Sequence, residues 1–152
     1  MSTNLTAVLQ QLLRNTSNLK VLQQLMTLDA TYVSLNFDNP ELKNIEPWAG
    51  THKGHRLCLM SLRQSNASGK HSNSRSPTPS SRVAAAFFGS FTYKSNVTGK
   101  EITSPFGLLA RFEGGKVAYV QFLEDSYGTA DSFKTGGKTR FHSDPSGKEV
   151  EI

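Results

Sequence analysis

Three long strand-like runs stand almost back to back in the second half of the chain: VAAAFFGSFTYKS (83–95), KEITSPFGLLARF (100–112) and KVAYVQFLED (116–125). The links between them, NVTG and EGG, are short and contain glycine, so they predict hairpins and an antiparallel meander. A meander with so many apolar side chains needs a second layer to cover one face. The N-terminal segment supplies it. In LTAVLQQLL, Leu5, Val8, Leu9, Leu12 and Leu13 recur at helical spacing, and in LKVLQQLMT, Leu19, Leu22, Leu25 and Met26 do the same behind Asn18 as a cap. DATYVSLNF (29–37) is rich in β-branched and aromatic residues and predicts the first strand, ended by the turn formers of DNPEL. PWAGTHKG then reads as a turn-bounded, strand-like piece. Near the C-terminus, SYGTADSF predicts a short closing helix capped by Asp125 or Ser126, and TRFHSDPSGKEVEI a last strand pair around DPSG. Helices first and a curled meander after give a single α+β domain over 1–152, a length that buries a sizeable core without disulfides.

Charge is unevenly placed. From Pro47 to Lys100 there are eight Lys/Arg and no acid, whereas the remainder has nine Lys/Arg against twelve acids, so the net +5 divides into +8 and −3. The basic excess belongs to the middle of the chain, and it points to neither nucleic acid nor membrane as a partner of the domain. No apolar run approaches the ~20 residues of a membrane helix. One cysteine, Cys58, leaves no internal disulfide, and Met1 is not followed by a basic-then-apolar leader, so a cytoplasmic setting is expected. The Asn-x-Ser/Thr sites at Asn4, Asn15, Asn66 and Asn96 are then coincidental.

The order of helices, the strand DATYVSLN, the entry P-W-x-G-T-x-x-G and three long strands resembles the nuclear-transport-factor-2-like superfamily. Within it, the chain is most similar to the SnoaL-like group of polyketide cyclases and ketosteroid-isomerase relatives. The likeness rests on LDATYVSLNFDNP with PWAGTHKG and on the stretch from FGSFTY to ADSF, together roughly half the chain. It implies a cone-shaped, curved antiparallel sheet wrapped on N-terminal helices, the cystatin-like barrel, with one internal pocket and a homodimer formed through the outer sheet face.

The resemblance also exposes an anomaly. After PWAGTHKG such a family has a long amphipathic helix with aromatic residues and a strand leading to FGSFTY. Here residues 61–82 hold eight serines, two prolines, no aromatic and no acid. Composition alone reads 56–82 as a disordered insertion, yet more than 20 structureless residues inside a compact domain argue against the assignment that demands them. A one-base shift of the reading frame from Gln64 to Ser74, with permissible codons, spells EQRFWKAFEL, an amphipathic aromatic helix. Both readings, insertion and frameshifted or mis-spliced translation, stand at this level. The genomic DNA separates them: a stop codon in the alternative frame eliminates the second.

Several chemical motifs dissolve on inspection. His52, His55 and Cys58 offer H-x-x-H-x-x-C but lack a fourth ligand, so no metal site is expected. TGGKT (135–139) lacks the first glycine of a phosphate-binding loop, which would fall at Ser132, and the strand-to-helix context. Cys58 has no His/Asp partnership for nucleophilic catalysis. In ketosteroid isomerase a carboxylate abstracts a proton beside a carbonyl while a tyrosine and a protonated aspartate hold the oxyanion. The resemblance places that base near Ser34 or Asn36 and the protonated acid near Leu108, so both carboxylates are missing.

The third long strand is the remaining source of chemistry. Alternation puts Tyr119, Gln121 and Leu123 on one face and Val120, Phe122 and Glu124 on the other. The resemblance maps its pocket-facing pair to Tyr119 and Gln121 and an acid to Asp125. The expected catalytic candidates are therefore Asp125, Glu124 and Tyr119, with helix capping or solvent exposure as the competing role of Asp125 and Glu124. Tyr32, Trp48 and Phe106 are expected to line an apolar pocket, with Asn36, Ser104 and Gln121 orienting a ligand. The resulting expectation is a small enzyme performing acid–base isomerisation, cyclisation or dehydration on an apolar metabolite of secondary metabolism, with no metal and no organic cofactor. A non-catalytic ligand-binding or dimerisation module of the same fold is the alternative.

Overall fold

A computed structural model describes residues 5–54, 69–75 (backbone) and 84–152. Helices α1 (Leu5–Arg14) and α2 (Leu19–Leu25) pack side by side and are followed by β1 (Met26–Ser34), α3 (Pro40–Ile45) and β2 (Gly50–Lys53). Then come β3 (Gly69–Arg75), β4 (Ala84–Lys94), β5 (Glu101–Glu113), β6 (Lys116–Glu124), α4 (Ser126–Ser132), β7 (Arg140–Ser143) and β8 (Lys148–Glu151). The expected α+β architecture is present. Six strands form one curved sheet in the order β2-β1-β6-β5-β4-β3, and β7 and β8 form a separate hairpin. The β4-β5-β6 meander is antiparallel, as its short links predict, while β1 joins β6 in parallel and makes the sheet mixed.

Local chemistry explains the turns. Between β5 and β6, Gly114 and Gly115 both take positive φ (55° and 79°), the two-residue arrangement that matches strand twist and that side chains rarely adopt. Asn18 caps α2 by accepting from the Val21 N–H at 3.3 Å. That helix stops one residue earlier than its apolar spacing suggests: Met26 is the first residue of β1, its N–H bonded to Leu22 O. At the other end β1 stops at Ser34, because Leu35 turns to φ 63°. The first strand therefore lies three residues before the expected 29–37, and Phe37 is exposed outside it.

The core lies between the helices and the concave sheet face. Leu9, Leu12 and Leu22 from the helices meet Met26, Ala30 and Tyr32 of β1, Phe87 of β4, Leu108, Ala110 and Phe112 of β5, and Val117 and Val120 of β6. Burying each large apolar side chain contributes about 1.5–3 kcal/mol before entropy is counted. The concave face is set by register. Tyr32 pairs with Val120, Val120 with Ala110, and Ala110 with Ala85, so every second residue along these strands looks inward.

Gly69–Arg75 runs antiparallel to β4 at the sheet edge. The rest of the Ser/Arg-rich segment 56–82 lies outside the described residues, as does the long helix expected after PWAGTHKG. Among the described residues no helix is long and apolar enough to cross a membrane.

Candidate active site

The inward parity of the sheet decides which groups can meet a ligand. Extending it toward the strand ends places Ser34, Phe122 and Glu124, Ser104 and Phe106, and Phe91 and Tyr93 on the concave side. The rings of Phe91, Phe106 and Phe122 form a half-buried cluster with centroids 5.4–6.2 Å apart. Gly89, opposite Phe106 in the ladder, makes room for it: a Cβ there would come within 2.7 Å of that ring.

Two short helices bring polar groups to this end. In α3, Asn39 accepts from the Leu42 N–H at 3.0 Å, Pro40 occupies the first turn and Glu41 favours its positive end. The helix ends at Glu46, whose N–H bonds Leu42 O at 2.7 Å and whose carbonyl accepts from Ala49 N at 2.9 Å. This turn drives the Glu46 side chain inward, where the residue is 0% exposed. Neither carboxyl oxygen has a hydrogen-bond partner among the described residues. Burial, with the negative charge of Glu124 adding to it, pushes the Glu46 carboxyl from 4.5 up to about 8. Glu46 is therefore protonated at neutral pH.

Helix α4 supplies the other half. Asp125 caps it, accepting from Gly128 N at 2.9 Å. One turn on, the Thr129 hydroxyl donates to Glu124 Oε1 at 3.2 Å, and the Ser132 hydroxyl lies 2.8 Å from the Tyr93 hydroxyl. Tyr93 O–H also reaches Thr129 O at 3.4 Å. Burial raises the Glu124 carboxyl to about 7; the Thr129 hydrogen bond opposes this and the charge of Asp125 adds to it. The Tyr93 phenol is pushed up too, first by burial, against its bonds to Ser132 and Thr129, and then by the charges of Glu124 and Glu46. Glu46, Glu124 and Tyr93 thus form one electrostatic neighbourhood.

The structure sorts the residues expected from sequence. Glu124 is on the concave side. Tyr119 and Gln121 are not: they stand on the opposite, outer face, where the Tyr119 hydroxyl donates to Gln121 Oε1 at 3.2 Å and Arg111 lies 5.0 Å from the Tyr119 ring centroid. This corrects the pocket-facing mapping, because the parallel register of β1 on β6 turns Val120, Phe122 and Glu124 inward. Asp125 is exposed and engaged as a cap. Phe106 belongs to the inner aromatic cluster. Ser104 is buried there, but its hydroxyl donates to Pro105 O (2.8 Å) and accepts from Asp125 N (2.9 Å), so it holds the β6–α4 turn. Tyr32 is core, its ring 6.4 Å from that of His52. Trp48 is half-buried, edge-on to Phe133 at 5.8 Å. Asn36 is exposed.

Glu46 and Tyr93 were not among the expected residues. The signal for Glu46 was present in Asn39-Pro40-Glu41, a helix start followed by too few apolar residues to show periodicity. Of His52, His55 and Cys58 only His52 is described; its Nε2 lies 2.8 Å from Trp48 O. Beside this site, α4 and the β7–β8 hairpin border a surface groove of about 300 Å³ lined by Ile45, Tyr127, Phe133 and Phe141 among others.

Fold and site together define a nuclear-transport-factor-2-like cone with a buried acidic end. An NTF2-like protein from Burkholderia xenovorans superposes with a TM-score of 0.66 at 16% identity, over 88% of this chain and 99% of that one. TerC, co-crystallised with polyporic acid, superposes with a TM-score of 0.65 at 14% identity, over 85% and 97%. At such identities these establish the fold alone. Patulin synthesis protein F of Aspergillus clavatus is 36% identical over 134 residues, covering 84% of this chain and 67% of its own length. No protein-family model matches the chain. The chain belongs to the family of patulin synthesis protein F, has the NTF2-like fold, and spans about two thirds of that relative's length.

Two measurements test this geometry. If Asp125 acts as a cap, Asp125→Ala costs ~0.5–2 kcal/mol in urea unfolding while Asp125→Asn is nearly neutral; equal losses would assign its role to charge. Because folding raises the Glu46 pKa from 4.5 to about 8, the folded chain binds the extra proton between those values, and stability falls as pH rises across that window. Glu46→Gln should flatten this fall by ~1–3 kcal/mol in unfolding free energy measured across the window.

Proposed function

We propose that the chain is a small-molecule enzyme of secondary metabolism. It isomerises, cyclises or dehydrates an apolar, oxygen-bearing metabolite by acid–base chemistry of its own side chains. The observation that carries this reading is the Glu46–Glu124 pair with Tyr93: a fully buried carboxyl and a half-buried one, both pushed by burial well above the ordinary carboxylate range, to about 8 and about 7. Glu124 as carboxylate takes a proton from a carbon next to a carbonyl. Glu46 as carboxylic acid gives its proton to the oxygen on which charge develops, or to a departing hydroxyl, which then leaves as water. Afterwards Glu124 holds the proton and Glu46 the charge, and return of the proton from one to the other resets the site. The Tyr93 hydroxyl, its one proton held by Thr129 O or Ser132 Oγ, is left to accept from a hydroxyl of the ligand. The kinship with patulin synthesis protein F supports a place in secondary metabolism.

A neutral planar probe tests the pair directly. Nitrobenzisoxazole ring opening needs one base at carbon and one donor at the departing oxygen. The expected kcat/KM profile is a bell, rising through about 7 as Glu124 ionises and falling through about 8 as Glu46 does. Glu124→Gln should lower it at least ~100-fold. A probe that binds without reacting would favour the non-catalytic ligand-binding module.

Two copies pair through the outer sheet face. Phe88, Gly107 and Leu123 lie side by side across β4, β5 and β6 there, with Phe88 64% and Leu123 47% exposed. Sedimentation should give a dimer for the natural chain and a monomer for Phe88→Asp; a natural chain that sediments as a monomer contradicts the pairing.

A further inference from the structure

The segment between β1 and β2 is built as a unit of its own. It starts beyond Leu35, whose φ of 63° is rare for a residue with a side chain, and runs to Gly50, whose φ of 105° suits glycine alone. Both ends are fixed and adjacent: Leu35 N donates to Phe122 O at 2.8 Å, and Ser34 pairs with Gly50 across the ladder. Residues 36–49 therefore form a compact loop on a narrow base. Their helix and turn hydrogen bonds stay inside the loop: Lys43 N to Asn39 O at 3.0 Å, Glu46 N to Leu42 O at 2.7 Å and Ala49 N to Glu46 O at 2.9 Å. The Lys43–Asp38 ion pair, at 3.4 Å, is internal too. Helix α3 buries none of its residues, and Phe37 and Ile45 are exposed. Side-chain bonds to β2 hold the loop down, Thr51 Oγ1 to Phe37 O at 2.9 Å and His52 Nε2 with Trp48 O at 2.8 Å, and Trp48 rests edge-on against Phe133. Against these few anchors the loop buries the Glu46 carboxyl, neither of whose oxygens has a hydrogen-bond partner among the described residues.

We propose that residues 36–49 are a strap hinged at Leu35 and Gly50, packed shut against the acidic end of the cone while Glu46 is a neutral acid and swung outward, carrying Glu46 into water, when it ionises. The groups around Glu46 favour that direction. Glu124 reaches it electrostatically from β6, and Tyr93 from β4. At the same end α4 contributes the hydroxyls of Thr129 and Ser132, β1 that of Ser34 and β5 that of Ser104, all neutral. On the strap itself Glu41 is exposed and Lys43 is paired with Asp38. From β2, His52 touches the strap backbone and is the other group whose titration reaches it. A charge on Glu46 would thus lose its hydration with no described cation or donor in return, and the few anchors of the strap oppose its exit only weakly. Where Glu46 is the proton donor of the proposed reaction, giving up the proton also releases the strap, so that chemistry and opening are coupled. That consequence rests on the catalytic reading, whereas the hinge does not.

Trp48, the one tryptophan of the chain, rides on the strap and reports its position. Acrylamide quenching of its fluorescence in the full chain reads the swing, while far-UV circular dichroism follows the fold. The expected result is a Stern–Volmer constant at least ~3-fold larger at about pH 9 than at about pH 6, with the circular dichroism unchanged. Glu46→Gln and the apolar Glu46→Leu lack the ionising carboxyl but keep His52, and each should hold the low value at both pH values. A constant that does not move with pH in the natural chain, an equal rise in either folded variant, or a rise that comes with loss of circular dichroism would each overturn the strap. Its failure is separable from that of the catalytic reading: a swinging strap without nitrobenzisoxazole turnover sinks only the latter, and turnover with a motionless strap sinks only the former.

Discussion

A carboxyl group removed from water, with a second carboxyl close enough to repel it, cannot keep its charge at neutral pH. That constraint governs one end of this molecule. Glu46 is fully buried and unbonded among the described residues, and Glu124 lies within its electrostatic reach. A buried group of this kind is costly, since it could otherwise be solvated or replaced by an apolar side chain. Costs of that sort collect where a protein does chemistry. Here the cost sits where two chain reversals meet, the turn after α3 and the turn into α4, and it is met by the apolar core built from the other end of the same sheet.

The scaffold places these groups by simple means. Long strands β4, β5 and β6 carry alternate side chains to the concave face, so their inner ends are apolar near α1 and α2 and acquire Tyr93, Ser104 and Glu124 toward the far end. Helix α4 is only seven residues long, yet it sets three contacts at once: Asp125 caps it, Thr129 holds Glu124, and Ser132 holds Tyr93. Tyr93 and Glu124 come from different strands, and one turn of helix fixes them relative to each other. Such tethering favours precise proton transfer over a loosely assembled pocket.

Much of the frame was legible in the sequence because it rests on local rules. The helical stripe of Leu5, Leu9 and Leu12, the Gly114-Gly115 turn and the Asp125 cap each follow from spacing or turn chemistry, and each is in place. The site was less legible, for two physical reasons. Alternation divides β6 into two faces but does not say which looks inward, and with Tyr119 on one and Phe122 on the other, aromatic content gives no answer. The parallel pairing with β1 decides it, and that contact is long-range. Glu46 is hidden differently: α3 has six residues and only two apolar ones, Leu42 and Ile45, so DNPEL reads as a turn, and the burial of Glu46 depends on packing that no local window contains. The resemblance to isomerases pointed to one carboxylate near Ser34 or Asn36 and another near Leu108, whereas this chain carries its acids at other positions.

The central claim is that Glu46 is a neutral acid at physiological pH. It can be read directly by labelling glutamate side-chain carboxyls with carbon-13 and following their chemical shifts with pH, with Glu46→Gln to assign the resonance. The account predicts one carboxyl that stays protonated through neutrality and titrates at about 8, and a second, Glu124, at about 7. If every glutamate titrates near 4.5, the buried acid pair does not exist and the chemistry built on it goes with it.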